Sequence, residues 1–278
     1  MNFQLCLRAA AAVVLSLPAL AWSADAPPAG TVTMLTGRGT ATSPDGTIRQ
    51  LAKGDPVFAG EIISSSINTY VNLKFSDGGY FLLRPNSRFH IVDFVDHTGA
   101  AAAPAAPPAP APGAPPASPV QPVAPLVTQQ ATQGGESHAF FRLLKGGFRS
   151  ISGLVGKLNH DEYQVATPVA TIGIRGTDYE AVICDAACAS DPVVAAGLPA
   201  GQKAEGGLLT GVIEGRIAVG DPSQCPGNAS PAGQQSGGCV EVPAGQYHLT
   251  TADGSQVVLG SQPHFLNVDP IPNPRLCQ

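Results

Sequence analysis

The sequence predicts an all-β protein built from short strands, and three observations support this. Apolar and polar residues alternate with a period of two in many segments, which is the pattern of a half-buried strand. Glycine and proline are abundant, with 32 and 27 of the 278 residues, and many of them form turn dipeptides. Helical periodicity is scarce, and no segment alternates strands with helices as a parallel α/β sheet requires.

The amino terminus has the parts of a secretory signal peptide. Arg8 precedes an apolar core at 9–17, and the triplet Ala19-Leu20-Ala21 has the small-x-small form of a cleavage site. We predict a signal peptide at 1–21, with cleavage after residue 21 or, alternatively, after residue 24. The core is shorter than the roughly 20 apolar residues of a membrane helix. We therefore expect a mature chain in the periplasm without a membrane span, while export beyond the outer membrane stays open.

The charge balance excludes one class of partner. Charged residues make up 13% of the chain, and the formal net charge is −5. Loss of Arg8 with the signal peptide leaves 14 basic against 20 acidic residues, a net charge of −6. Because nucleic-acid binding needs clustered Lys and Arg, we expect no nucleic acid as a partner.

A change of composition divides the chain. The segment at 98–137 is almost entirely Ala and Pro at first and then polar, so it cannot bury enough apolar surface to fold. We predict that it is an extended, disordered linker. The folded parts are then 30–97 and 138–220, followed by a C-terminal β extension and tail at 221–278.

Both folded parts are predicted to consist of short strands separated by turns. In the first part, residues 71–75 alternate apolar and polar side chains, and Asp77-Gly78-Gly79 supplies a hairpin turn before the next apolar segment. Asp45-Gly46 and Asp253-Gly254 predict further tight turns. The segment Phe140–Leu144 fits either a helix or a strand. A short strand is predicted at 62–63, and the remaining alternating segments are 88–91, 163–165, 172–174, 179–183, 217–219 and 240–242.

One run of residues carries a family resemblance. The sequence TPVATIGIRGTDY, from Thr167 to Tyr179, is a β-branched strand closed by an arginine between two glycines. It closely resembles the signature of the FecR domain, an all-β module of bacterial envelope proteins. Segments at 51–55, 59–63, 71–79, 83–88 and 141–149 resemble the rest of that domain in order, so the likeness covers about 52–183.

The FecR resemblance implies a fold and a role. It implies one compact domain, solenoid-like or sandwich-like, in which the Ala/Pro segment is an insertion into a surface loop. Such insertions cost little, because closure entropy grows slowly with loop length. It also implies a relay in which an envelope partner is sensed and a signal passes towards a sigma factor. FecR-type sigma regulators carry a cytoplasmic anti-sigma segment and a membrane helix ahead of this domain, whereas here a signal peptide is predicted.

We therefore expect a non-enzymatic protein-binding or scaffold module with an envelope protein as its partner. The alternative is an envelope enzyme or a carbohydrate-binding module, which a cluster of acids and aromatic residues in one cleft would favour. The histidines have no HExxH or His-x-His spacing, and no GxSxG elbow occurs. We accordingly expect no catalytic residues, no cofactor and no metal.

Structural roles are predicted for six motif residues: Thr167, Pro168, Gly173, Arg175, Gly176 and Thr177. For Arg175 two interpretations compete. Its guanidinium could bind a partner's carboxylate. We favour the other interpretation, in which it ties down carbonyls or an acid of neighbouring turns, while Gly173 and Gly176 permit a tight bend.

The cysteines of an exported chain predict disulfides. Cys184 pairs most simply with Cys188, and Cys225 with Cys239, which would close two loops. The alternatives are zinc ligation by these four residues, which their spacing disfavours, and a redox centre at the first pair. Cys277 is left over, either free or available for an intermolecular bridge.

Overall fold

The computed structural model describes residues 27–97, 136–220 and 238–266. The predicted signal peptide and nearly all of the predicted linker lie outside these residues. The described part contains sixteen strands in one sheet. The all-β fold class is therefore confirmed.

The strands are β1 Gly30–Leu35, β2 Gly39–Thr42, β3 Ile48–Gln50, β4 Pro56–Val57, β5 Ile62–Ser65, β6 Val71–Phe75, β7 Tyr80–Leu83, β8 Arg88–Val95, β9 His138–Lys145, β10 Gly147–Ile151, β11 Tyr163–Ala166, β12 Thr171–Ile183, β13 Leu208–Gly220, β14 Cys239–Pro243, β15 Tyr247–Thr250 and β16 Gln256–Leu259. The helices are α1 Leu154–Leu158, α2 Ala186–Ala189 and α3 Pro192–Gly197, and short 3-10 turns span His160–Glu162 and His264–Leu266.

The sheet has two arms that share the long strands β12 and β13. Arm A contains β3, β2, β5, β8, β9 and β11, then the first half of β12, the second half of β13, and β14. Arm B contains β4, β1, β6, β7 and β10, then the second half of β12, the first half of β13, β15 and β16. Both long strands therefore pass from one arm into the other.

The passage between the arms occurs at a break in the register of β12 and β13. Pairing is regular up to Arg175 opposite Arg216, shifts to Asp178 opposite Glu214, and shifts once more before it resumes with Tyr179 opposite Val212. Gly176 and Gly215 lie in the gap with φ of +61° and +80°, a region in which a side chain is strained. Such a bulge bends the strand and increases its twist.

One prediction about this bend needs correction. The sequence predicts that Gly173, like Gly176, permits a tight bend. Gly173 instead lies in a regular ladder between Gln164 of β11 and Ala218 of β13. A Cβ there would meet no atom within 4 Å. The bend therefore depends on Gly176 and Gly215 and not on Gly173.

Aromatic side chains fill the space between the arms. Phe81 of arm B lies 4.8 Å from Phe89 and 4.8 Å from Phe141, both of arm A, between ring centroids. Phe75 of arm B contacts Phe141 at 5.2 Å, and Phe148 of arm B contacts Phe89 at 5.7 Å. Ring pairs at these separations stabilise a core beyond the area they bury. The single sheet thus curls so that its two arms enclose a common aromatic core.

The predicted turns form hairpins in the expected places. β6 and β7 pair across Asp77-Gly78-Gly79, β2 and β3 across Asp45-Gly46, and β15 and β16 across Asp253-Gly254. The ambiguous segment Phe140–Leu144 is part of strand β9. Its apolar residues alternate because one side faces the aromatic core.

The helices were not predicted. All three span six residues or fewer, too short for a 3.6-residue period to be visible in the sequence. Two of them are nevertheless capped by local signals. The carboxylate of Asp185 accepts from Cys188 N at the start of α2, and that of Asp191 accepts from Val193 N at the start of α3.

The segments on either side of the Ala/Pro run are neighbours in space. β8 and β9 pair antiparallel in arm A, with Val95 opposite His138. The chain therefore leaves and re-enters the same arm, as an insertion into one loop of a single domain would. β14 and β15 both pair with β13, so residues 239–250 extend the same sheet.

Candidate functional site

The first half of the FecR-like motif forms the turn between β11 and β12. Thr167 closes this turn, since its Oγ1 donates to Ala170 O at 2.7 Å and its backbone N–H donates to the same oxygen at 2.9 Å. Pro168 is exposed within the turn, where its fixed φ restricts the chain. These two residues therefore position the start of β12.

The second half of the motif contacts the residues that follow β10, which in turn contact the β6–β7 turn. The N–H of Thr177 donates to Ser152 Oγ at 2.9 Å, and Ser152 N donates back to Thr177 O. The adjacent Gly153 packs against Asp77, and a Cβ on this glycine would lie 2.3 Å from the carboxyl carbon. The β6–β7 turn, the end of β10 and the motif thus meet at one point, which we call the polar junction: Asp77, Ser152, Gly153 and Thr177.

Asp77 is the acid of the polar junction. It is 5% exposed, and its carboxylate accepts from Gly79 N at 2.9 Å and from Val155 N at 3.3 Å. Burial raises the pKa of this carboxyl, while the two backbone donors oppose the rise. Because both oxygens serve the turn and the start of α1, the geometry gives Asp77 a structural role.

Two tyrosines lie between the arms beside the polar junction. Tyr179, the last residue of the motif, is fully buried, and Tyr163 is 2% exposed with its hydroxyl 3.4 Å from Ser150 Oγ. Burial raises the pKa of both phenols above their usual range. At neutral pH they remain protonated, so neither can act as a general base.

Arg175 points away from the core. Its strand neighbour Ile174 is buried, and period-two alternation puts Arg175 on the outer face of arm A, opposite Arg216. Its side chain is half-buried there. The interpretation that its guanidinium ties down neighbouring turns stays a prediction.

The structure joins Cys184 and Cys188 in a disulfide with an S–S distance of 2.05 Å. Both sulfurs lie in a second apolar core on the outer side of arm B, where α2 and α3 cover β12, β13, β15 and β16. Cys239 is also disulfide-bonded. Its predicted partner Cys225 lies outside the described residues, as does Cys277, so that pairing stays a prediction.

The first disulfide removes two of the four thiolates that the zinc alternative would need. Within residues 27–97, 136–220 and 238–266, no three His, Cys, Asp or Glu side chains are grouped to hold a metal. The described helices include none that is long and apolar enough to cross a membrane.

A charged cleft of about 270 Å³ lies on the outer face of arm B. Arg149 lies opposite Glu180 in the ladder and donates from Nε and Nη2 to the Asp178 carboxylate at 2.9 and 2.8 Å. The opposite wall is Tyr247, whose pKa is raised by burial and by the negative charge of Glu180. Gln262 completes the polar lining.

Sequence reasoning did not find this cleft. Arg149, Glu180 and Tyr247 come from β10, β12 and β15, which come together, with β13 between the last two, only after β12 and β13 have bent into arm B. The alternation along β12 was visible, but it could not show which strand would supply the opposite wall.

A second cleft, of about 420 Å³, lies beside the motif turn. It is uncharged, and its polar groups are the hydroxyls of Thr167, Thr171 and Thr250 and the amide of Gln256. Two of these groups bond each other, since the Thr250 hydroxyl donates to Gln256 Oε1 at 3.0 Å.

No family model and no curated protein matches the sequence. Among solved structures, one described as a "Cell surface anchoring domain" is 32% identical, with 23% of this chain and 83% of that chain covered and a TM-score of 0.22. Two crystal structures of a "putative anti-sigma factor" from Parabacteroides distasonis are 8% identical, with 73% of this chain covered and a TM-score of 0.37. This chain covers 60% of their length.

Proposed function

We propose that this chain is a non-enzymatic, exported FecR-like module that binds a protein of the bacterial envelope, as a scaffold or as part of envelope signalling. The proposal rests on the FecR-like segments, which follow one another in the order of that domain, and on the predicted signal peptide. It also rests on the structural contacts that residues of these segments and their neighbours make. Thr167, Ser152, Thr177 and Asp77 all serve turns and the contact between the arms. The motif thus maintains a scaffold whose outer surfaces are available for binding.

The observation that most directly supports the proposal is the position of β16 at an edge of the described sheet. In the described part of the chain β16 pairs only with β15. Val257 and Leu259 turn into the second apolar core, whereas Val258 between them is 59% exposed. An edge strand with an exposed apolar side chain can accept an extended segment of another protein by strand addition.

Site-specific photo-crosslinking in cells tests this proposal. A photoreactive amino acid is placed at Val258 in the full-length exported protein, and at Lys53, an exposed residue of a turn near β4, as the control. We expect a discrete adduct with one envelope protein from position 258 and none from position 53. The same background adducts from both positions would contradict the proposal.

The charged cleft favours a second candidate, a carbohydrate-binding module. Glu180, Arg149 and Gln262 offer acceptors and donors for sugar hydroxyls, and the Tyr247 ring offers an apolar wall. Binding to a panel of envelope glycans, measured for the wild type and for Tyr247→Ala, tests this. Tyr80→Ala, at a half-buried tyrosine outside the cleft, is the matched control. Absence of binding to every glycan would exclude the candidate.

A further inference from the structure

Basic residues face one another at three register positions on the outer face of arm A, two between β8 and β9 and one between β12 and β13. The register puts Arg88 opposite Lys145, His90 opposite Arg142, and Arg175 opposite Arg216. The alternating neighbours Phe89, Phe141, Ile174 and Ile217 are buried in the core, so these basic side chains lie on the outer side of the arm. We call this surface the cationic face.

Such pairing is costly and unexpected in this chain. Like charges directly opposite each other destabilise a sheet. The chain has only 15 Lys and Arg against 20 acids, so random placement would favour opposite charges. The nearby positive charge affects His90. The pKa of its imidazole is lowered mainly by burial and, to a smaller extent, by the positive charge of Arg142.

The outer face of arm B has the opposite arrangement. Its one arginine in the charged cleft, Arg149, lies opposite Glu180 and is bonded to Asp178. The two faces belong to the same sheet and share β12 and β13, yet only one of them places cation opposite cation.

The acids near the cationic face neutralise only part of it. Glu241 accepts from Arg216 at 2.9 Å, and Asp93 bonds His138 at 2.9 Å. Glu214 is exposed at the bend beside Arg216. Arg88 and Arg142 are both exposed, and their charge therefore remains available to a partner.

Apolar groups accompany these cations. Leu144 and Val92, on β9 and β8, are 38% and 39% exposed. The ring of Phe140 is half-buried and stacks on His138 with centroids 5.3 Å apart. Arginine combined with aromatic and aliphatic side chains is the composition of protein–protein interfaces.

We propose that the cationic face binds an acidic segment of a partner protein. Carboxylates of that segment contact the guanidinium groups of Arg88 and Arg142, which can hold a carboxylate through two parallel hydrogen bonds. Its apolar side chains contact Leu144 and Val92. This inference rests on the proposed function, since it specifies the chemistry of the protein that the module binds.

Binding of a defined polyanion tests the chemistry. The probe is poly-L-glutamate, and the variant is Arg88→Glu/Arg142→Glu. The control is Lys53→Glu/Lys203→Glu, which makes the same change of charge at exposed residues outside the strands that form this face. We expect binding at low salt that weakens about tenfold or more in the variant and little in the control.

Two results would overturn the inference at this stage. Equal weakening in the variant and the control would show that only net charge matters. Tighter binding of polygalacturonate than of poly-L-glutamate would assign the face to an acidic polysaccharide. Thermal unfolding of each variant establishes that the fold is intact.

Capture in cells separates this inference from the proposed function. The partner crosslinked from position 258 should be lost with Arg88→Glu/Arg142→Glu and kept with the control. Undiminished capture by the variant overturns the cationic face and leaves the proposed function standing. Capture of no partner by the wild-type protein contradicts both.

Discussion

Ser152 and Thr177 exchange two hydrogen bonds of 2.9 Å, one from each backbone N–H. Ser152 follows strand β10, and Thr177 lies in the gap where β12 passes from arm A to arm B. Both residues are buried. This pair therefore fixes the position of the bend that gives the module its two arms.

Replacing Ser152 tests the importance of this pair. Ser152→Ala leaves the buried N–H of Thr177 without its acceptor, so we expect a loss of about 1–3 kcal/mol in the free energy of unfolding. Urea denaturation measures it, and Ser66→Ala at an exposed serine is the control. A loss no larger than that of the control would show that the pair is dispensable.

Gly215 is expected to tolerate no side chain. A Cβ there would lie 2.5 Å from the carbonyl oxygen of Gly176, and φ is +80°. We expect Gly215→Ala to lower stability by about 1–3 kcal/mol. Gly173→Ala, at an extended position with open space, should cost less than about 1 kcal/mol. Equal thermal shifts for the two variants would contradict this account of the bend.

Arg175 distinguishes a structural role from a binding role. If the Arg175 guanidinium holds neighbouring turns through hydrogen bonds, Arg175→Ala should lower the free energy of unfolding by about 1–2 kcal/mol. The reason is that buried acceptors would lose a charged donor. Denaturation of this variant is compared with Arg38→Ala, which removes an exposed arginine. A variant that stays as stable as the wild type but no longer captures the partner would assign Arg175 to binding.

His248 makes the fold sensitive to acid. It is 1% exposed, and burial lowers its pKa from 6.5 to about 4. As the pH falls, His248 is therefore protonated in the unfolded chain before it is protonated in the folded chain. The contribution of neutral His248 to the free energy of unfolding is fully present above pH 6.5 and is lost as the pH falls from 6.5 towards 4. The loss amounts to at most about 3 kcal/mol.

Unfolding free energies between pH 7.5 and 4.5 measure this dependence. His248→Leu should flatten the curve in this range, whereas His264→Gln, at an exposed histidine, should leave it unchanged. An unaltered slope in His248→Leu would assign the acid sensitivity to other groups.

Local pattern predicted most of the strands and turns. The alternation at 71–75 and the turn at Asp77-Gly78-Gly79 required no knowledge of the rest of the chain, because a half-buried strand and a tight turn are set by neighbouring residues. The short helices were missed, since α2 and α3 depend on single caps, Asp185 and Asp191, and have no visible periodicity.

The candidate surfaces could not be predicted in the same way. The cationic face depends on the register of β9 against β8 and of β13 against β12, with bulges that no local pattern indicates. The sequence suggested only a charge-poor, acidic chain. Register determines that scarce cations such as Arg142 and Arg216 are gathered on one side of arm A.

The sequence by itself determined the fold class, the hairpin turns and the FecR-like motif, because each depends on alternation or backbone preference over a few residues. Only the tertiary structure decided that β12 and β13 cross between two arms, that Asp77 packs against Gly153 beside the Ser152–Thr177 pair, and that Arg149, Glu180 and Tyr247 line one cleft. These contacts join residues far apart in the chain, and their free energy is gained only when the aromatic core between the arms has formed.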